Sequence, residues 1–297
     1  MFAVDSIDDG LRLTWNGQLL LEYHFQTGGP RTYWHPVRMP DSPVLTMDRP
    51  DDHIHHQGIW VAWKKVNGVN FWEQPKPGAD TGGFGRIAHK KVLETSADSQ
   101  IARFTTQNEW VDWQSVVHLN EVRQTVVYAP QDNHIIMDIA LQFHPAGRDV
   151  TLDLNRGEPG KGGLFYSGLT IRFDNAMTPG RLLDADGRTE TMDIFGSRSH
   201  WCGYAGRHQE DGQVYGITVL DHAHNLRYPT AWWVRNSENY ALIQPGLCYH
   251  EPFHLPAGNT LELKYRIVLH KGYVDPELIK SVAPGRGGLM FFDPKSE

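Results

Sequence analysis

Apolar and polar residues alternate with a period of two along several stretches of this chain. In Leu261–His270 (LELKYRIVLH) the odd-numbered positions are all apolar and the even-numbered ones are mostly polar or charged. Successive side chains of a β-strand point to opposite faces of its sheet, so this pattern predicts a strand with one buried face and one face in water. Further stretches alternate or carry β-branched runs: 103–106, 115–128, 134–143 and 213–221. The sequence therefore predicts an all-β fold.

The turn content and the length indicate how these strands are arranged. The chain has 297 residues, of which 29 are Gly and 18 are Pro, and this favours short elements joined by turns. Strands at intervals of about 8–12 residues are typical of a β-sandwich, so we predict a large antiparallel sandwich. No clean boundary divides the sequence, and residues 1–297 are expected to form a single domain. One short C-terminal helix is predicted at Asp275–Val282, where Asp can cap and Pro takes the first position.

Charge and sequence motifs exclude several classes of function. The formal net charge of −7 argues against binding nucleic acid through a broad basic face. No apolar run reaches about 18 residues, so no membrane-spanning helix is expected. The first residues show no basic segment followed by an apolar core, so no secretory signal is expected. Two cysteines cannot make a disulfide framework, so we expect a cytoplasmic protein. Phosphate-loop, dinucleotide-binding and nucleophile-elbow motifs are missing from the sequence.

A run of imidazoles, Asp51–Trp60 (DDHIHHQGIW), is the first candidate site. On an extended backbone His53 and His55 would share one face, and His56 would lie on the other. Imidazoles titrate near neutrality and suit general acid–base catalysis, so His53, His55 and His56 are candidate catalytic residues. Two adjacent imidazoles can also begin a divalent metal site, with His53 and His55 as ligands. A solvated turn without function is the alternative interpretation.

Aromatic residues follow this run and make the second candidate site. Trp60, Trp72 and Glu73 surround an Asn-Gly pair that favours a hairpin. Flat aromatic rings beside a carboxylate are what a sugar needs, because its apolar face stacks and its hydroxyls form hydrogen bonds. The alternative, favoured for any single one of these tryptophans, is that it fills the core between two sheets.

The remaining candidates lie in the second half of the chain. His200 and Glu251 are candidate partners of the imidazoles in acid–base catalysis, although Glu251 could equally be a charge at a hairpin end. Polar and aromatic side chains that could contact a ligand with many hydroxyls are Lys161, Trp201, Tyr204, Asn225, Arg227, Trp232 and Arg235. A flexible surface loop is the alternative for Lys161, and an ion pair within the sheet is the alternative for Arg235. We expect the imidazole run to line one concave cavity with groups from residues 200–251.

Several of these pieces together resemble a known family. They are His53–Trp60, Asn67–Trp72, Lys161–Gly163, Trp201, Gly203–Gly206, Asp221-His222, Asn225–Arg235 and Tyr265–Gly272. From about residue 30 to 275 the chain resembles the DUF6807 family, also called the PmoA family or methane oxygenase PmoA. The resemblance implies a fold like the galactose-mutarotase supersandwich, with a sugar groove lined by His, Glu, Arg and Trp. It also implies a functional link to sugar oxidoreductases in carbohydrate catabolism. The methane label does not fit, since the membrane methane monooxygenase subunit needs spanning helices.

The leading hypothesis is an enzyme that performs acid–base chemistry on a sugar or keto-sugar. The reaction would be epimerisation, mutarotation, or β-elimination or hydrolysis of a 3-keto-glycoside. Trp60, Trp72 and Trp232 would stack on the ring, and Arg235 would hold a hydroxyl or carbonyl. One alternative is a non-catalytic carbohydrate-binding protein that uses the same groove, and another is a metal-dependent oxygenase with His ligands. A small-molecule sugar is the expected partner, and a homo-oligomer is compatible with the sequence.

Overall fold

The structure is a computed structural model that describes residues 1–26, 28–75, 78–154 and 166–284. Lys161 lies outside these residues. None of the helices in the described part of the chain is long and apolar enough to cross a membrane.

Nineteen strands are formed by the described residues. They are β1 (Phe2–Ile7), β2 (Gly10–Trp15), β3 (Gln18–His24), β4 (Tyr33–Val37), β5 (Ile59–Trp63), β6 (Lys65–Val66), β7 (Gly85–Ala97), β8 (Ile101–Asp112), β9 (Val117–Tyr128), β10 (His134–Pro145), β11 (Val150–Asp153), β12 (Ser167–Arg172), β13 (Arg181–Asp184), β14 (Trp201–Arg207), β15 (Val214–Asp221), β16 (Trp232–Ser237), β17 (Tyr240–Pro245), β18 (Phe253–Leu255) and β19 (Leu261–Lys271).

Two eight-stranded antiparallel sheets make up most of the fold, which confirms the predicted all-β antiparallel sandwich. The first sheet has the order β1-β2-β3-β4-β5-β12-β17-β16, and the second has the order β13-β14-β15-β19-β10-β9-β8-β7. A third, small sheet has the order β18-β11-β6. Each alternating stretch of 115–128, 134–143, 213–221 and 261–270 contains most of one of the strands of the second sheet.

Large aromatic residues fill the space between the two large sheets. Trp63 of β5 packs against Trp110 of β8 and Phe143 of β10, with ring centroids 5.3 and 5.1 Å apart. Trp34 of β4 donates a 3.2 Å hydrogen bond from Nε1 to the Thr125 hydroxyl of β9. One hydrophobic cluster contains buried residues of both sheets. The single-domain organisation stays a prediction.

Only two short α-helices occur among the described residues. α1 (Thr191–Ile194) is a single turn that the sequence analysis did not predict, and α2 (Pro276–Val282) confirms the predicted C-terminal helix. The Asp275 carboxylate caps α2 by accepting a hydrogen bond from the Glu277 backbone N–H, and this satisfies one of the free N–H groups of the first turn. Cys202 and Cys248 are both buried and unbonded to each other.

The register of β5 decides which of its side chains face the site. Ile59 and Trp63 point toward the second sheet, so Trp60 between them points to the outer face of the first sheet. Tyr33 of β4 lies opposite Trp60 on one side, and Thr170 of β12 lies opposite it on the other. The loops that precede β5 and follow β6 cover this outer face.

Candidate functional site

The imidazole run forms a turn just before β5. The His53 backbone N–H donates to the Pro50 carbonyl over 2.9 Å, and the His56 N–H donates to the His53 carbonyl over 2.8 Å. The expected extended backbone, with His56 on the face opposite to His53, is therefore wrong. These local hydrogen bonds fold the chain back on itself, so all three imidazole rings gather on one side.

The three rings pack against each other and against aromatic residues. The rings of His53 and His56 stack with centroids 4.5 Å apart, and His55 meets both edge-on at 5.6 and 4.7 Å. His56 is buried and stacks on Trp60 at 5.2 Å. The Tyr240 ring of β17 is nearly parallel to the rings of His53 and His56, with centroids 5.0 and 5.8 Å away. The C-terminal half of the chain thus reaches the imidazoles through a residue that the sequence analysis did not select.

Burial keeps two of the imidazoles neutral. Burial, and next the positive charge of Arg31, lower the pKa of His55 to about 4. Burial, and next His55 itself, lower the pKa of His56 far below its usual value. His53 is half-buried, and its Nδ1 lies 2.8 Å from a carboxylate oxygen of Asp52. The turn therefore presents a neutral imidazole, His55, at the edge of a buried stack.

Glu73 lies beside the imidazoles as an ionised carboxylate. It accepts hydrogen bonds from the Lys64 ammonium and from the Asn70 amide. Burial alone would raise the pKa of Glu73, but these bonds hold it below its usual value. Lys64 was missed in the sequence, although a lysine that directly follows the apolar run 59–63 is itself a signal of a buried charge.

Arg31 connects the imidazole turn to the segment that carries Glu73. Its guanidinium donates to the backbone carbonyl oxygens of His55 and Trp72, and burial lowers its pKa to about 9. Nothing in the sequence around Arg31 marks it, because its partners are backbone atoms distant in the chain. Arg31 therefore fixes the position of the imidazole turn relative to Glu73.

The indoles of Trp60 and Trp72 lie beneath these groups. Both are completely buried, and their rings contact each other with centroids 5.3 Å apart. Trp72 stacks on Tyr166 at 4.8 Å, and Tyr166 meets Trp233 edge-on at 5.4 Å. Among the described residues, no partner is found for the Nε1 atoms of Trp60 and Trp72 or for Nδ1 of His56. The structure thus gives both tryptophans a supporting position under the site.

An open cleft of about 610 Å³ lies over this group. We call it the histidine cleft. It is lined by Asp51, Asp52, His53, Ile54, His55, Glu73, Gln74, Pro75, Ala79, Asp80 and Phe84. A volume of this size can hold a small organic ligand. Two of its lining groups are the neutral imidazole of His55 and the carboxylate of Glu73.

Two arginines approach from the strands beyond Tyr240. The guanidinium carbon of Arg172 lies 4.3 Å from the centre of the Tyr240 ring, and that of the exposed Arg235 lies 5.9 Å from it. Arg235 is a predicted ligand-binding residue, and the structure places it next to the aromatic residues that pack on the imidazoles. A cation is thus available on this side of the site.

His200 lies elsewhere. Its Nδ1 is 2.6 Å from the Tyr228 hydroxyl, and with Trp201 and Asp221 it lines a separate cleft of about 220 Å³. The cleft at His200 shares no lining residue with the histidine cleft. The structure does not bring His200 or Trp201 to the imidazole turn.

Other predicted residues have contacts that hold the backbone together. Arg227 donates to the carbonyl oxygens of Leu247, Glu251 and Pro252, and Glu251 pairs with it over 3.1 Å. The buried Asn225 amide bridges Asp221 and the backbone of Lys264. The Tyr204 hydroxyl donates to the Met177 carbonyl, and Nε1 of the buried Trp232 donates to the Ser199 carbonyl. The functional roles predicted for these residues stay predictions.

A metal site at His53 and His55 would need further ligands. Within the described ranges, no group of three or more His, Cys, Asp or Glu side chains is arranged to hold a metal ion. The predicted pair therefore lacks a third protein ligand in that part of the chain.

The model of DUF6807, a family of unknown function, matches residues 10–283. The chain belongs to the DUF6807 family. No functionally curated protein matches the sequence. A solved structure titled as a heparinase III with methylated lysines is similar at a TM-score of 0.31 and 10% identity, over 89% of this chain and 30% of that chain. The chain thus spans less than a third of that protein.

Proposed function

We propose that this DUF6807 protein is an enzyme that performs acid–base chemistry on a sugar or keto-sugar in the histidine cleft. One observation carries the proposal: the neutral imidazole of His55 and the ionised carboxylate of Glu73 line the same cleft. Such a reaction needs a group that can accept a proton, here the imidazole, and a group that can hold the substrate hydroxyls, here the carboxylate.

The chemistry begins with proton removal from a carbon next to the carbonyl of the keto-sugar. The neutral His55 accepts this proton, and the C–H electron pair moves onto the carbonyl oxygen as an enolate. A cation such as Arg235 stabilises that negative charge. Protonation of the enolate from the opposite face by water, with His55 giving its proton back to solvent, yields the epimer. Alternatively the enolate re-forms the carbonyl and expels the substituent at the β carbon, which takes the proton from His55, and the product is the unsaturated ketone.

Glu73 orients the substrate in this scheme. Its carboxylate can accept hydrogen bonds from ring hydroxyls, and its bonds with Lys64 and Asn70 fix its direction. Trp60 and Trp72 act from below by holding the imidazole turn in place, since neither indole is exposed to the cleft. The aromatic surface that faces the sugar would come from Phe84, which is half-buried and lines the cleft.

The test compares His55→Gln with the matched control His254→Gln. His254 is an exposed histidine paired with Asp149 over 3.3 Å, and it lies on β18 away from the cleft. Incubation of a panel of sugars and 3-keto-glycosides in D₂O, followed by NMR, detects exchange at carbon and any elimination product. We expect His55→Gln to lose activity by about 100-fold or more while remaining folded, and His254→Gln to retain it.

Two results would contradict this proposal. Full activity of His55→Gln would show that His55 is not the base. Binding of a sugar by the wild-type protein without exchange or turnover on any panel member would favour the non-catalytic carbohydrate-binding alternative. That alternative is supported by Glu73, whose carboxylate is already engaged by two side chains.

A further inference from the structure

A second cleft adjoins the histidine cleft. It has a volume of about 430 Å³ and lies where β7 begins and β8 ends. Gln74, Pro75 and Phe84 border both clefts. The three shared lining residues place the two clefts side by side, so a ligand longer than one ring would have to cross only this border to occupy both.

An exposed indole lines this second cleft. All ten tryptophans lie in the described part of the chain, and Trp113, with 44% of its surface exposed, is the only one of them that is neither buried nor half-buried. Exposing much of an indole forgoes part of the stabilisation that its full burial would give. Core packing therefore does not account for this tryptophan.

The turn that carries Trp113 is held firmly by its neighbours. The Asp112 carboxylate accepts 2.9 Å hydrogen bonds from the backbone N–H groups of Gln114 and Val116. Its other oxygen lies 3.1 Å from Nε2 of His118. The indole is thus presented from a fixed turn, which reduces the entropy lost when a ligand stacks on it.

Polar groups accompany the indole in the second cleft. Thr81, Arg86 and Ser115 are exposed, and Gln74 lies at the junction between the clefts. A flat aromatic face with hydroxyl, amide and guanidinium donors around it suits a pyranose ring, which has an apolar face and an equatorial rim of hydroxyls.

We propose that Trp113 forms a distal subsite for a second sugar ring. The substrate class is then a glycoside of at least two rings, with the reacting ring in the histidine cleft and the next ring stacked on Trp113. This inference rests on the proposed function for the identity of the reacting ring, but the binding at Trp113 is measured independently of turnover.

The experiment measures dissociation constants by titration calorimetry on the full chain. The probes are glucose and galactose, and a panel of α- and β-linked disaccharides of these sugars. The variants are Trp113→Ala, the conservative Trp113→Tyr, and the matched control Leu93→Ala. Leu93 is 45% exposed on the edge strand β7 and lines neither cleft.

We expect the wild type to bind at least one disaccharide more tightly than either monosaccharide. Trp113→Ala should raise the dissociation constant of that disaccharide by about 3- to 10-fold and leave the dissociation constants of the monosaccharides unchanged. Trp113→Tyr should restore most of the affinity, and Leu93→Ala should have no effect. If these binding results are obtained but no substrate is turned over, the subsite is supported and the proposed enzymatic function is contradicted.

Two outcomes would overturn the subsite. One is equal binding of disaccharides by the wild type and Trp113→Ala. The other is no binding of any disaccharide by the wild type. Exchange or turnover on a monosaccharide substrate in either case would show that the proposed function survives without the subsite.

Discussion

His55 has to remain neutral in surroundings that disfavour its charged form. Burial also lowers the pKa of two other imidazoles, His35 and His270, to about 4. A histidine that stays neutral when folded but accepts a proton when unfolded makes the folded state sensitive to acid. The lowered pKa that keeps His55 neutral in the site therefore also makes the stability of the fold depend on pH.

We predict that the free energy of unfolding decreases as the pH falls from about 6.5 to about 4. In this window the unfolded chain binds protons on His35, His55 and His270 that the folded chain does not, and each contributes on the order of 1 kcal/mol or more. The carboxyl group of Asp221, whose pKa burial raises to about 6, works in the opposite direction and offsets part of the loss. Urea unfolding at several pH values measures the net slope.

A matched pair of variants isolates the contribution of one imidazole to that slope. His55→Gln should make stability less dependent on pH in this window, and His254→Gln at an exposed position should leave the slope unchanged. Identical slopes for the wild type and His55→Gln would show that His55 does not have a lowered pKa.

At the scale of one element, the imidazole turn depends on how it enters β5. Gly58 has a φ of +58°, and a Cβ at this position would lie 2.1 Å from the Trp34 carbonyl oxygen. Only glycine permits this approach of the turn to β4, because any side chain would collide with backbone. Gly58, which joins the imidazole turn to β5, therefore has no room for a side chain.

We predict that Gly58→Ala destabilises the protein much more than Gly68→Ala. Gly68 also has a positive φ, +83°, but nothing lies within 4 Å of its added Cβ. Gly68→Ala should lower the free energy of unfolding by about 1 kcal/mol, from backbone strain alone. Gly58→Ala should lower it by at least about 2 kcal/mol more, because the added Cβ collides with backbone. Thermal unfolding of both variants measures the difference. Equal losses would mean that the contact between the turn and β4 is not tight.

At the scale of the whole molecule, the two large sheets are joined by buried polar contacts as well as by aromatic packing. The Arg123 guanidinium of β9 pairs with Glu121 over 2.5 Å, and both side chains are fully buried. Arg123 also lies over the Trp34 ring of the first sheet, 5.0 Å from its centre. Separating the sheets would expose this ion pair and the aromatic residues together.

We therefore predict that the two sheets unfold in one step. The near-ultraviolet circular dichroism signal of the buried tryptophans and the far-ultraviolet signal of the strands should change with the same midpoint in urea. Two separated transitions would show that the sheets are independent units and would contradict the single-domain prediction.

The sequence by itself determined the β-sandwich and the C-terminal helix, because alternation and capping are local patterns. Leu261–His270 can bury its odd-numbered side chains only as a strand, whatever its neighbours are, and Asp275 with Pro276 specifies a helix start within one turn of chain. The imidazole run also marked the candidate site, since three histidines in four residues are a local signal.

The tertiary structure alone decided which other residues join that run. Tyr240 reaches the site by the order of strands in the first sheet. Arg31 reaches it by hydrogen bonds to backbone carbonyl groups distant in sequence, and Lys64 by a hydrogen bond to a side-chain carboxylate. The sequence around Arg31 and Tyr240 carries little trace of this, whereas Lys64 is marked only by the apolar run that it follows. For the same reason the sequence could not place His200 in a separate cleft, since contacts between distant segments depend on topology and register, which no local pattern encodes.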